Sequence, residues 1–127
     1  MVILLDQFNL PDDIFKIVFA TEQQEVVAKM LIQYMKDNGG EIGKTEMSMF
    51  ATQLHEGTLV ENKQRSPIIK KLPQISYNKR QFYDRILTPM KSMSLIDYDL
   101  YKKTYKISEN FNKLMIRIGL MWLREIR

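Results

Sequence analysis

Residues 85–96 read RILTPMKSMSLI, and within them a helical periodicity ends and an extended one begins. Before and through the first half of this stretch, apolar side chains recur at helical spacing from Phe82 to Met93. This spacing predicts a helix, and Ser76 is a suitable N-cap for it. Pro89 interrupts the pattern. Because proline lacks an amide hydrogen and collides with the preceding turn, we expect a kink or a tightening of the helix over residues 85–88.

Downstream of the helix, two short segments have the composition of β-strands. Leu95–Tyr98 and Thr104–Ile107 are rich in β-branched and aromatic residues, and Asp99–Lys103 separates them. The sequence therefore predicts a small hairpin, with basic residues on its far side, directly after the helix.

Upstream, the clearest signals are those that begin and end helices. Thr21 and Gln24 have the spacing of a capping box, and Asn38-Gly39-Gly40 supplies residues that end a helix in the left-handed conformation. After a short link at 41–43, Thr45 is expected to cap a second helix that stops near Gly57. A shorter helix is expected from about Pro11 to Ala20. Residues 58–75 have no sustained period and are predicted to form an unusually long loop that is mobile.

The C-terminal segment predicts a helix that begins at Glu109 after the cap residue Ser108. Apolar residues occupy almost its whole circumference. Such a helix must be covered, either by other elements or by a second subunit. We expect it to form a homodimer interface that includes Phe111, Ile118, Met121 and Trp122.

The formal charge of +4 is distributed unevenly along the 127 residues. Residues 1–60 hold 4 Lys and Arg against 9 Asp and Glu, whereas residues 61–127 hold 15 against 6, so the halves carry −5 and +9. One basic face is what a polyanion-binding module requires. A lysine-rich surface without a partner is the alternative interpretation.

The residue inventory argues against several functional classes. The chain has no cysteine, and its one histidine, His55, has no imidazole or thiolate with which to share a metal. It also lacks a phosphate-binding glycine loop and a nucleophile motif. The apolar start, Met1–Leu5, is too short to span a bilayer and lacks the features of a secretory signal. We therefore expect a cytoplasmic, non-enzymatic protein without metal or cofactor.

The order helix, link, helix, loop, helix and hairpin resembles the winged helix-turn-helix family of DNA-binding domains. The resemblance covers residues 21–108, and its most specific parts are the 85–96 stretch and Tyr105–Ser108, which is similar to a last wing strand that runs into a capped helix. It implies a single domain over residues 1–127 that is mainly α with a small β-hairpin. Residues 21–108 would form the winged-helix core, with additional N- and C-terminal helices, and 109–127 would form the dimerisation helix.

The resemblance also implies a binding surface for double-stranded DNA. It places groove contacts on the third helix and phosphate contacts on the wing, at Ser76, Asn78, Lys79, Arg80, Tyr83, Tyr101, Lys102 and Lys103. The 58–75 loop is longer than a compact turn of this family. Its basic residues are expected either to form a second DNA-binding arm or to belong to a protein-docking loop; they are Lys63, Arg65, Lys70 and Lys71.

The leading functional prediction is sequence-specific DNA binding by a small dimeric transcription regulator. The first alternative is a winged-helix subunit that mediates protein interactions within a larger nucleic-acid-handling assembly, since one fold serves many functions. The second is RNA binding, for which exposed tyrosines beside basic groups would be needed.

Overall fold

The computed structural model describes residues 5–56 and 77–127, and the following account concerns those residues. Ser76, the 58–75 loop and its basic residues Lys63, Arg65, Lys70 and Lys71 lie outside them. The described part is mainly helical, with a small three-stranded antiparallel sheet. Within it, no helix combines the length and the apolar character needed to cross a bilayer.

The elements follow one another in this order. The first half contains α1 (Ile14–Val18), α2 (Glu22–Asp37), β1 (Glu41–Gly43) and α3 (Lys44–Glu56). The second half begins with α4 (Lys79–Phe82), a π-helical turn (Tyr83–Leu87) and α5 (Thr88–Ser92), which form one continuous helix that we call the α4–α5 helix. The hairpin strands β2 (Ile96–Asp99) and β3 (Thr104–Ile107) come next, and α6 (Asn110–Glu125) ends the chain.

Local side-chain chemistry sets the limits of α2, as the sequence predicts. Thr21 and Gln24 form the capping box, with each side chain accepting a hydrogen bond of 3.1 Å from the other residue's backbone N–H. At the other end Gly39 and Gly40 have φ values of 83° and 87°, and the Gly40 N–H donates to the Met35 carbonyl over 2.7 Å. Only glycine adopts this conformation at no steric cost, so the helix stops there.

The sheet corrects one prediction. The 41–43 segment, expected to be a link, is strand β1, and the strand order is β1-β3-β2. Ile42 lies opposite Tyr105, and Tyr98 lies opposite Tyr105 on the other side. The central strand therefore joins the first half of the chain to the hairpin.

Three helix starts also differ from the prediction. The second helix begins at Lys44, and the Glu46 carboxylate accepts from the Gly43 N–H over 3.3 Å, so Thr45 lies inside the first turn and is not the cap. The third helix is capped by Asn78 and not by Ser76. The last helix begins at Asn110, one residue late, although the Ser108 hydroxyl does accept from the Asn110 N–H.

The core lies between α2, α3, the α4–α5 helix and the sheet. A line of aromatic rings crosses it, from Tyr34 through Phe50 and Phe82 to Tyr83, with successive ring centroids 5.3, 5.4 and 5.5 Å apart. Phe50 and Phe82 are fully buried, and burial of a side chain of this size contributes about 1.5–3 kcal/mol. This core fixes the α4–α5 helix and the hairpin, which carry most of the predicted site.

Candidate nucleic-acid interface

The start of α4 carries three of the predicted groove residues, Asn78, Lys79 and Arg80, and all three are exposed. Asn78 has a structural role as well. Its side-chain oxygen accepts from the Gln81 N–H over 2.8 Å, and the Gln81 side chain accepts from the Asn78 N–H over 3.1 Å. A bidentate contact to adenine uses the amide oxygen and nitrogen of asparagine together. While Asn78 caps the helix, only its NH₂ group is available to a ligand.

Arg80 forms an exposed ion pair with Asp84 one turn along the same helix. The Arg80 Nε and Asp84 Oδ2 atoms are 3.6 Å apart, and the two side chains are 91% and 66% exposed. An ion pair this open contributes little to stability. Its consequence is electrostatic, because it places a carboxylate on the face that is expected to meet a polyanion.

Tyr83 does not extend into solvent as a groove residue would. It is half-buried, its ring packs edge-on against Phe82, and burial raises its pKa above the ordinary tyrosine value. Only part of this side chain is therefore open to a ligand.

Lys91 connects the α4–α5 helix to the hairpin, a contact that the sequence analysis did not identify. Its Nζ atom lies 5.6 Å from the centroid of the Tyr98 ring and 5.9 Å from that of Tyr105, and these two rings are 4.6 Å apart. A cation at this distance from two aromatic rings is held by electrostatic attraction to them. Lys91 is nevertheless exposed, so its ammonium group faces solvent at the junction between helix and hairpin.

The π-helical turn lies where Pro89 was expected to distort the helix, but it widens the helix and does not tighten it. The Thr88 N–H donates to the Tyr83 carbonyl, five residues back. Arg85 and Thr88 are exposed on this turn. Arg85 therefore adds a cation to the exposed side of the helix that the predicted site did not include.

The turn of the hairpin is held in one conformation by Asp99. Its carboxylate accepts from the backbone N–H groups of Tyr101 and Lys102, over 2.9 and 3.1 Å. These bonds, that of Lys102 before that of Tyr101, keep the pKa of Asp99 below its ordinary value. Lys103 adopts the left-handed conformation with φ of 55°. The turn is thus shaped before any ligand arrives.

Both apolar and basic side chains stand on this turn. Leu100 is 75% exposed and Tyr101 98% exposed, and Lys102 and Lys103 are exposed beside them. The Lys103 carbonyl accepts from the Lys44 N–H over 3.0 Å, which fixes the end of the turn to the start of α3. The predicted wing residues therefore lie together on a rigid, solvent-facing turn.

The C-terminal helix α6 has no buried residue. Of the predicted interface residues, Phe111 is half-buried near the base of the helix, and Ile118, Met121 and Trp122 are exposed, Trp122 to 64%. Within the described segments, neither α6 nor the other elements present three or more metal-ligating side chains in one group.

Comparisons with known proteins returned nothing: no protein-family model, no curated protein sequence and no solved structure matches this chain.

Proposed function

We propose that this chain is a winged helix-turn-helix protein that binds double-stranded DNA in a sequence-specific way, as a small dimeric transcription regulator that acts without catalysis. The order of helices and the hairpin that follows the third of them are compatible with such a layout. The observation that carries the proposal is the pairing of an exposed basic helix with an exposed basic hairpin turn, joined through Lys91.

The helix supplies groups suited to the major groove. Arg80 and Lys79 stand at its N-terminal end, which is the end that meets base edges in helix-turn-helix proteins. A guanidinium can make two hydrogen bonds to guanine, and this gives Arg80 the main role in base recognition. The ion pair with Asp84 keeps that side chain extended along the same helix face.

The hairpin supplies groups suited to phosphates. Lys102 and Lys103 lie on a turn that Asp99 holds in place, so little conformational entropy is lost when they bind. Lys91 lies between the two elements and is oriented by two tyrosine rings. We assign all three lysines to phosphate contacts, which position a protein on DNA without reading its sequence.

The test is the salt dependence of binding to random duplex DNA, measured by gel shift or fluorescence anisotropy. Each phosphate contact contributes a slope of about 0.9 to the plot of log K against log salt concentration. The double variant Lys102→Ala, Lys103→Ala should lose up to about two units of slope, and Lys91→Met about one.

The matched control is the double variant Lys16→Ala, Lys36→Ala, which removes the same charge from exposed positions on α1 and α2. It should keep the wild-type slope. If the wild-type protein at micromolar concentration and low salt shifts no duplex, the DNA-binding proposal is wrong. Preference for a single-stranded RNA competitor would point instead to the exposed Tyr101 as a base-stacking group.

A further inference from the structure

The helix α6 leaves a continuous apolar surface in solvent. Its large apolar side chains from Met115 to Ile126 are between 39% and 64% exposed. The described contacts that hold it lie at its base, where the Asn110 side chain donates to the Asp97 carboxylate over 3.2 Å and the Ser108 N–H donates to the Leu95 carbonyl over 3.0 Å. The helix thus projects from the body, about 24 Å long at 1.5 Å per residue.

One line along this surface has the spacing of a coiled coil. Phe111, Leu114, Ile118, Met121 and Glu125 follow one another at intervals of three and four residues. Intervals that alternate in this way form the seam by which two helices pair, and a seam of this kind is complementary to a second copy of itself. The occupant that fits this face is therefore the same helix of another subunit.

The residues beside the seam distinguish the two orientations of such a pair. One flank carries Arg117 and Arg124, and the other carries Met115 and Trp122. In an antiparallel pair equivalent flanks face each other, so arginines would oppose arginines. In a parallel pair each flank faces the opposite flank, which sets Arg117 against Trp122 of the partner subunit.

Glu125, the last residue of the seam, is compatible with the parallel pair. It lies at the end of the helix, where water reaches both carboxylates, and each is beside Arg124 of the partner subunit. We infer that α6 pairs in parallel with α6 of a second copy.

The inference has a consequence for the DNA target, and this part rests on the proposed function. Because α6 starts directly after β3, parallel pairing places both bodies, with their hairpins, at the same end of the helix pair. The two-fold axis then runs along the pair. A protein with this symmetry binds two half-sites that form an inverted repeat.

The experiment uses the absence of cysteine from the chain. Glu125→Cys and, with Glu125 retained, Met121→Cys place single thiols on the seam near its C-terminal end. In a parallel pair each thiol faces its own copy, and mild oxidation should give a covalent dimer of the full-length protein. Gly119→Cys, on the outer side of the helix, is the matched control and should stay uncrosslinked.

Two results of this experiment would overturn the inference. One is wild-type protein that is monomeric by light scattering at tens of micromolar. The other is a dimer in which neither seam variant crosslinks, since an antiparallel pair separates Glu125 from its own copy by more than about 15 Å. Neither measurement uses DNA, so failure of the proposed function leaves them valid. A preferred DNA site without an inverted repeat would overturn the part that concerns symmetry.

Discussion

The side-chain amide of Gln24 donates a hydrogen bond of 3.5 Å to the backbone carbonyl of Arg85, which is 61 positions away in the chain. That carbonyl lies four residues before Pro89, which has no N–H to offer it. The helix widens into a π turn at this point, and a residue of the α2 capping box supplies the missing donor. One proline thus accounts for both the shape of the α4–α5 helix and its contact with α2.

This relationship predicts a coupling between positions 24 and 89. Gln24→Glu keeps the oxygen that caps α2 but removes the donor to Arg85, and it should lower the free energy of unfolding by about 0.5 kcal/mol because the carbonyl is partly solvated. In a Pro89→Ala background the alanine N–H can serve the same carbonyl, so the Gln24→Glu effect should vanish. Urea denaturation of the four proteins measures this coupling, and equal effects in both backgrounds would contradict it.

The part of the fold that the sequence predicts correctly depends on local chemistry. The Thr21 capping box and the two glycines after α2 involve residues within a few positions of one another, so their pattern is sufficient. Strand β1 has only three residues, and its partner strand lies more than sixty positions later, so no local pattern distinguishes it from a link. The widening at Pro89 likewise depends on Gln24, a distant residue.

The same distinction applies to the candidate site. Lys79, Arg80, Lys102 and Lys103 are surface cations that composition and element order are enough to identify. Lys91 gains its position from two rings on strands that follow it, and no spacing in the sequence indicates this contact. The second use of Asn78, as a helix cap, was assigned in advance to Ser76 because both residue types cap helices well.

Asp84 should limit the affinity of the protein for DNA. Asp84→Asn removes a carboxylate from the proposed DNA-binding face and releases Arg80, so we expect affinity for all duplexes to rise by about twofold to fivefold at low salt. Asp12→Asn, an exposed acid on the other half of the chain, should have no such effect. Arg80→Ala should instead cost about 1–3 kcal/mol on a preferred sequence and less on others. Unchanged affinity of Asp84→Asn would place that carboxylate away from the DNA.

Acid should weaken the attachment of α1 to α2. The Lys29 side chain bonds to the Asp13 carboxylate, and this bond, before the smaller contribution of the Phe15 N–H, lowers the pKa of Asp13. A carboxyl group with a lowered pKa in the folded state stabilises the protein above its unfolded pKa, and this stabilisation is lost as the pH falls through the folded value. The loss is therefore expected below about pH 4.

The control for this prediction is Asp13→Asn, which can still cap α1 but cannot titrate. Urea unfolding at pH 7 and pH 3 should show a larger loss of stability for the wild type than for the variant. The other carboxylates titrate equally in both proteins and so do not affect the difference. Equal losses would show that the Lys29 contact does not contribute.

Two glycines should respond in opposite ways to alanine. Gly119 lies inside α6 with no atom within 4 Å of an added Cβ, so Gly119→Ala should stabilise the helix by about 0.8–1 kcal/mol. Gly40 also has open space around it, but its φ of +87° disfavours any side chain. Gly40→Ala should therefore destabilise the protein by about 1 kcal/mol or more. Helicity from circular dichroism and unfolding in urea would test both, and a loss of helicity in Gly119→Ala would contradict the first.

The attachment of α6 at one end gives it the mechanics of a lever on a pivot. The pivot consists of a few polar contacts at Ser108 and Asn110, while the arm is a stiff helix, so small rotations at the base become large displacements of one body relative to the other. A regulator built in this way would tolerate operators whose half-sites differ in spacing, since each added base pair requires a rotation of only about 34–36° and a shift of about 3.4 Å. Its selectivity would then depend on the half-site sequence more than on the distance between half-sites.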